Sequence, residues 1–338
     1  MFMEDNEMKK RMISGIKPTG QLTLGNYIGA LKPFVSSQDE YDLSVFIANL
    51  HCVTMPIDPK ELETNLRDAL AFYLACGLDP QKTDIFLQSD VPEIAQLGFL
   101  LSCVTPMGEL NRQTQYKDKK DSGVSLSAGF YTYPTLMSAD ILIHGAELVP
   151  VGEDQKQHVE LARDTAERFN NRFGETFKIP EPVIAKVGKR IMSLQDPSKK
   201  MSKSDREGDK GVIYLKEDTK KARKKIMSAV TDSIGVVQYD PEHQPGVANL
   251  LTIYASLKEI SIDDAVKAFE GQQYGSFKKA VADVVCAELE AIQARYHECI
   301  ESNTLNDVLA EGASRVRPQA QATLHDVQAK FGLDWKRD

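Results

Sequence analysis

The chain lacks an apolar run long enough to cross a bilayer, any Cys-x-x-Cys pair, any internal repeat and any low-complexity segment. A membrane-spanning helix needs about 20 consecutive apolar residues, so the first absence argues against an integral membrane protein. Five cysteines, at 52, 76, 103, 286 and 299, are too scattered for a structural zinc site or a disulfide framework; they suggest thiols in a reducing cytoplasm. Met1 to Arg11 has no apolar stretch of the kind a secretory signal carries, and residues 1–10 read as a frayed N-terminal extension. An excess of basic charge is missing too. Lys and Arg number 41 against 49 Asp and Glu, a net charge of −8, which argues against a sequence-independent nucleic-acid coat protein. What remains is an ordinary globular composition, 42% hydrophobic and 27% charged, over 338 residues. That length suits one large domain and a smaller one.

The periodicity predicts alternating strands and helices over the first two thirds. Strands are expected at Met12–Ile16, Leu43–Leu50, Asp84–Gln88 and Leu148–Val151. Helices are expected at Leu24–Phe34, Glu61–Cys76, Pro92–Cys103, Pro106–Gln113, Thr132–His144 and Asp154–Asn170. The polar stretch Asn111–Ser127 reads as a mobile loop. Such alternation implies an α/β fold, a doubly wound, Rossmann-like parallel sheet with helices on both faces. From Thr219 onward strand signals thin out and helices follow one another: 220–229, 247–257, 262–269, 277–303 and 305–331. The expected division is an extension at 1–10, a catalytic α/β domain at 11–210, and a mainly helical region at 211–338 whose last helix packs back on the catalytic domain. Lys220, Lys221, Arg223, Lys224 and Lys225 form a local basic run within the helical region.

Two short segments carry chemistry. Residues 199–205, Lys-Lys-Met-Ser-Lys-Ser-Asp, put three ammonium groups and two hydroxyls into one polar run. Such a run can neutralise charge that grows on a polyphosphate during nucleotidyl transfer. Pro18-Thr19-Gly20-Gln21-Leu22-Thr23-Leu24-Gly25-Asn26 joins the first strand to the first helix, where an open α/β sheet binds ligands and a helix start can face an anion. It has neither the Gly-x-Gly-x-x-Gly nor the Gly-x-x-x-x-Gly-Lys spacing, so dinucleotide and Walker-type readings fall away.

Together, Thr23-Leu24-Gly25-Asn26 and Lys200-Met201-Ser202-Lys203-Ser204 resemble the two signatures of the class I aminoacyl-tRNA synthetases, in the form found in bacterial tryptophanyl-tRNA synthetases. The resemblance continues through Gly25-Asn26-Tyr27-Ile28-Gly29, Ala139-Asp140-Ile141-Leu142, Val149-Pro150-Val151-Gly152-Glu153-Asp154-Gln155, Arg190-Ile191-Met192-Ser193-Leu194 and Ala229-Val230-Thr231-Asp232-Ser233. It implies activation of L-tryptophan with ATP and Mg²⁺, transfer to tRNA(Trp), and a cytoplasmic homodimer. It implies that Asp140 accepts the indole N–H, that Met137, Val149 and Val151 line the indole slot, and that Tyr133, Gln155 and His51 serve the amino acid's charged end. For ATP it implies Lys17, Pro18, Thr19, Gly25, Asn26, Gly152, Glu153, Asp154, Ile191, Lys200, Met201, Ser202, Lys203 and Ser204. Catalytic roles fall to Lys200, Lys203, Thr23, Asn26 and Lys119, and no residue is assigned as a protein ligand to a metal. Because Thr23 and Asn26 stand where this class often has histidines, no imidazole acid is available there.

Two positions depart from the bacterial pattern: Lys17 replaces a usual Gln and Ile13 a common Phe. Three other readings remain open at this point. They are tyrosine specificity on the same fold, a nucleotidyltransferase acting on a small molecule, and a catalytically silent paralogue with a binding role.

Overall fold

The computed structural model describes residues 9–18, 21–121, 125–152, 155–184, 190–201 and 209–334. Five strands form one parallel sheet in the order β3-β2-β1-β4-β5: β1 Arg11–Ile16, β2 Asp42–Ile47, β3 Thr83–Leu87, β4 Leu148–Val151 and β5 Glu181–Ile184. Neighbouring side chains on a strand point to opposite faces, and both faces are apolar. Met12, Val45, Ile47, Ile85 and Leu148 join one buried cluster, while Ile13, Phe46, Phe86 and Val149 join another. A sheet buried on both sides is what the continuous apolar strands require.

The helices in chain order are α1 Leu24–Asn26, α2 Lys32–Ser37, α3 Asn49–Cys52, α4 Pro59–Ala75, α5 Glu93–Ser102, α6 Met107–Asn111, α7 Thr114–Asp121, α8 Ala128–Leu142, α9 Lys156–Phe173, α10 Thr219–Met227, α11 Pro245–Lys258, α12 Ile262–Ala268, α13 Tyr274–Glu301 and α14 Thr304–Lys330. Four differences from the sequence reading have local causes. The second strand stops at Ile47, and Asn49–Cys52 turns into α3, which carries His51. The polar 111–127 stretch is not simply a loop, because Thr114–Asp121 is helical with no buried residue. Its helix is pinned from outside: Gln157 Oε1 accepts from the Thr114 N–H at 2.9 Å. β5 was missed because it is four residues long and contains Pro182, which an edge strand tolerates. The first long helix is interrupted by a π turn, Tyr27–Leu31, just before Pro33, which has no N–H to continue a regular ladder.

The helical region shares the first apolar cluster, since Val281, Val285 and Leu289 of α13 lie in it with Leu24 and Val45. α14 returns to cover β3, the free edge of the sheet. Gly312 makes this close approach possible, for a Cβ there would lie 1.9 Å from the Ile85 carbonyl oxygen. Arg315 then pairs with Asp84 at 2.6 Å. No helix among the described residues is long and apolar enough to cross a membrane.

Candidate active site

Strand order reverses at β1: the chain runs outward through β2 and β3, then returns to place β4 on the other side. Ligands bind beyond the carboxyl ends of strands at such a point. A cavity of about 430 Å³ opens there, lined by the ends of β1 and β4 and by one face of α8. The α8 face is set by helical spacing, since Tyr133, Met137, Asp140 and Ile141 recur at intervals of four, three and one. Its floor depends on a glycine. A Cβ at Gly15 would meet the Phe46 ring at 2.5 Å, so only glycine lets that ring lie across β1. Ile13, 1% exposed, belongs to this floor.

Asp140 is the charged group at the heart of the cavity and is 1% exposed. A buried carboxylate needs partners, and it has two. Gln88 Nε2 donates to both its oxygens at 2.8 and 2.9 Å, and His51 Nε2 lies 2.9 Å from Oδ2. An ionised carboxylate only accepts, so His51 carries its proton on Nε2 in that state. Burial pushes the Asp140 carboxyl upward, and the His51 and Gln88 contacts pull it back. Gln88 is itself wholly buried and braced, its Oε1 accepting from the Leu50 N–H at 3.0 Å. One amide therefore fixes both α3 and Asp140.

A second network lines the mouth. Tyr133 Oη lies 2.8 Å from both Gln115 Oε1 and His158 Nε2, and His158 Nδ1 lies 2.9 Å from Gln155 Oε1. It ties α7 to α8 and α9. All seven residues assigned to the amino acid line this one cavity: Asp140, Met137, Tyr133, Gln155, His51, Val149 and Val151. Lys17 and Gly152 line it as well. Lys17 is the single lysine or arginine among its described lining residues.

The two signatures meet at a different place. Leu24 N–H donates to Ile213 O at 2.8 Å and Leu215 N–H to Leu22 O at 2.9 Å, so the first signature is zipped to the chain that follows the second. Met192 and Lys200 form an antiparallel bridge, and Met201, 1% exposed, packs inward. A Cβ at Gly25 would touch Met201 Cβ at 3.4 Å and Ile191 Cβ at 3.6 Å, which puts Gly25 against the root of the lysine run. Thr23 is wholly buried, and Thr23 and Asn26 satisfy one another: Asn26 Oδ1 accepts from the Thr23 N–H and hydroxyl at 3.0 Å each, and Thr23 Oγ1 accepts from the Asn26 N–H at 3.2 Å. Lys200 is exposed. Lys119 lies on exposed α7, away from the cavity lining. Pro18 borders a small neighbouring cleft with Lys17. Thr19, Glu153, Asp154, Ser202, Lys203 and Ser204 lie outside the described residues.

Sequence reasoning missed Gln88, Gln115 and His158. Gln88 had a usable signal, since it sits at the carboxyl end of a parallel strand. The basic run needs revision. Lys225 points inward to Glu217 at 2.6 Å, and Arg223 pairs with Asp283 at 2.7 Å, leaving Lys220, Lys221 and Lys224 as its exposed lysines.

A reversed parallel sheet, a buried carboxylate at its switch point and two apposed signature segments define an aminoacyl-tRNA synthetase of class I. The family model described as tRNA synthetases class I (W and Y) matches residues 5–290, and the chain belongs to that family. Among its relatives is the tryptophan--tRNA ligase of Bacillus subtilis (strain 168), 51% identical over 330 residues, covering 98% of this chain and 100% of that protein. The structure is similar to the crystal structure of tryptophanyl-tRNA synthetase from Mycoplasma pneumoniae, with a TM-score of 0.86, 37% identity and coverage of 96% and 98%. It is also similar to the Campylobacter jejuni enzyme complexed with ADP and tryptophan, with a TM-score of 0.81, 36% identity and coverage of 96% and 100%.

Proposed function

We propose that this chain joins tryptophan to tRNA in two steps. It is a tryptophan--tRNA ligase, similar over nearly its whole length to enzymes of that name. In the first step the carboxylate of L-tryptophan attacks the α-phosphorus of ATP in line. The new O–P bond gives tryptophanyl-adenylate as the bond to pyrophosphate breaks. In the second, a ribose hydroxyl at the tRNA 3′ end attacks the activated carbonyl, and AMP leaves. Holding the two reactants in line replaces an improbable encounter in solution.

The observation that carries the amino-acid assignment is Asp140, a buried carboxylate in a cavity otherwise walled by Met137, Val149 and Val151. The indole N–H supplies a further donor to it. A side chain without that N–H forgoes this bond in a desolvated site, and sites built to hydrogen-bond a substrate donor reject such analogues by up to about 10⁴–10⁵. Tyr133 and Gln155 hold the charged end near the mouth, and His51 acts through Asp140. Lys17 can pair with the substrate carboxylate or the α-phosphate. Thr23 is spent on its neighbours, so its role is to position Asn26. Lys200, with Lys203 of the same run, stabilises charge on the departing pyrophosphate, and Lys119 reaches the phosphates from α7. Gly25, Ile191 and Met201 shape the backbone beneath the nucleotide, with Pro18 and Gly152 at its edges.

No three His, Cys, Asp or Glu side chains converge to hold a metal among the described residues. In this reading Mg²⁺ enters with the triphosphate as part of the substrate. We assign residues 11–210 to catalysis and 211–338 to the anticodon side of tRNA(Trp), with Lys220, Lys221 and Lys224 as its exposed cations. A homodimer in the cytoplasm completes the reading. No disulfide joins the five cysteines, which suits a reducing compartment.

Amino-acid-dependent ATP–pyrophosphate exchange tests the activation step, with tryptophan, tyrosine and phenylalanine in parallel. Exchange with tryptophan alone is the expected result. Exchange with tyrosine would keep the fold and overturn the substrate. Absence of exchange with all three would return the chain to the silent-paralogue or small-molecule readings.

A further inference from the structure

The hairpin that carries Lys200 is held by a residue outside both signatures. Met192 stands opposite Lys200 in the antiparallel bridge. The hydrogen bonds that close the pair lie on either side of it: Ser193 N–H donates to Lys199 O at 2.8 Å, and Met201 N–H to Ile191 O at 3.0 Å. In this register the N–H and C=O of Met192 point away from Lys200, towards where a third strand would lie. No strand is there. A single side chain takes its place: Met192 N–H donates to Asn249 Oδ1 at 2.9 Å, and Asn249 Nδ2 donates to Met192 O at 2.9 Å.

Asn249 belongs to α11 and is 5% exposed. It is not among the residues that line the amino-acid cavity. The helix behind it is fixed in turn. A Cβ at Gly246 would lie 2.0 Å from the Val230 carbonyl oxygen, and Val230 N–H donates to Leu194 O at 2.8 Å. Hairpin, 229–230 segment and α11 thus share one seam. Only a primary amide can serve Met192 fully, because it offers one acceptor and one donor side by side. An ionised aspartate offers two acceptors and an alanine neither.

We propose that Asn249 is a positioning residue for Lys200, standing in for a missing strand so that the Lys200 backbone, next to the Met201 that packs on Gly25, keeps a fixed place. The inference rests on the reading of Lys200 as a phosphate-binding group. A small displacement of a charge-stabilising group lowers the rate without altering amino-acid binding elsewhere. In the full-length enzyme, Asn249→Ala removes both hydrogen bonds and lowers kcat of tryptophan-dependent exchange on the order of tenfold, within the scale of one to two lost net hydrogen bonds. KM for tryptophan stays within about twofold, since the cavity is untouched.

Asn249→Asp provides the readout that a purely structural role would not move. Ionised, the new carboxylate faces the Met192 carbonyl with no donor. Protonated, it regains an O–H for that carbonyl, and burial raises the pH at which this happens. The ratio of variant to native kcat therefore rises as pH falls from 8 to 6. Variants that both match the native kcat overturn the proposal, and so does an aspartate-to-native ratio that is flat with pH. The second criterion decides the matter if Asn249→Ala does not fold. A native enzyme that fails to exchange pyrophosphate with tryptophan overturns the ligase reading itself, a result distinct from either of these.

Discussion

The amino-acid cavity and the lysine hairpin solve opposite problems with opposite materials. In the cavity the functional side chain is buried and its neighbours are side chains: Asp140 is held by Gln88 and His51 beneath apolar walls. In the hairpin the functional side chain is left in water, and what is held is backbone, through Ser193–Lys199, Met201–Ile191 and the Asn249 amide on Met192. The reason is electrostatic. Choosing one amino acid over another needs a desolvated acceptor, because only there does a missing donor cost much. Neutralising a polyphosphate needs ammonium groups that stay protonated before the ligand arrives, and burial would favour their neutral form. Specificity is therefore built into fixed side chains, and charge neutralisation into a fixed backbone that carries the exposed Lys200.

Two substitutions break the comparison if they behave alike. Asp140→Ala removes the acceptor for Gln88 and His51 and the proposed partner of the indole N–H. It should lower kcat/KM for tryptophan by about 10³ or more, with preference over phenylalanine collapsing in the same exchange assay. A loss below tenfold would mean that the cavity does not set specificity. Lys200→Ala should lower kcat by about 10²–10³. Its tryptophan affinity, read by equilibrium dialysis, should match the native protein, because the side chain is exposed and outside the cavity. A weakened tryptophan affinity would show that the two regions are not separate.

The same contrast explains what could be read from the sequence. The strands at 12–16 and 148–151 and the helices after 219 were legible because apolar periodicity reports burial directly. Asp140 was legible as a carboxylate among Ala139, Ile141 and Leu142, and the lysine run as a cluster of like charges. The supports were not. Asn249 is a single polar residue in an apolar stretch, His158 one polar residue among several, and Gln88 is marked only by its place at a strand end; their partners lie 57, 25 and 52 positions away. Their meaning arises only when the sheet and the helices bring distant backbone and side chains together. α7 was hidden for a related reason: with no buried residue it has no apolar stripe, and its anchors are Gln157 and Tyr133 on other helices.

The smallest expected effect concerns how each region responds to acid. His144 follows α8, is 2% exposed, and stacks edge-on against Phe86 at 5.4 Å between ring centres. Burial first, and the Arg11 charge second, push its pKa down to about 3. The folded protein thus refuses a proton that the unfolded chain accepts near pH 6.5. Above that pH the residue costs nothing. As pH falls from about 6.5 towards 3, the unfolded state binds more protons and stability drops, by about 1.4 kcal/mol per pH unit and so about 2 kcal/mol by pH 5. Asp140 acts in the opposite sense, because its raised pKa lets the folded state take up a proton first. The His144 contribution is therefore isolated as a difference in slope: urea unfolding of the native protein and His144→Phe at pH 7.5, 6 and 5 should diverge only below pH 6.5, with the variant losing less. Parallel slopes would remove His144 as the acid-sensitive group. Because the folded protein keeps the His144 ring neutral over this range, the acid effect falls on global stability and not on tryptophan binding or on the hairpin, whose Asn249 clamp is a neutral amide with nothing to titrate.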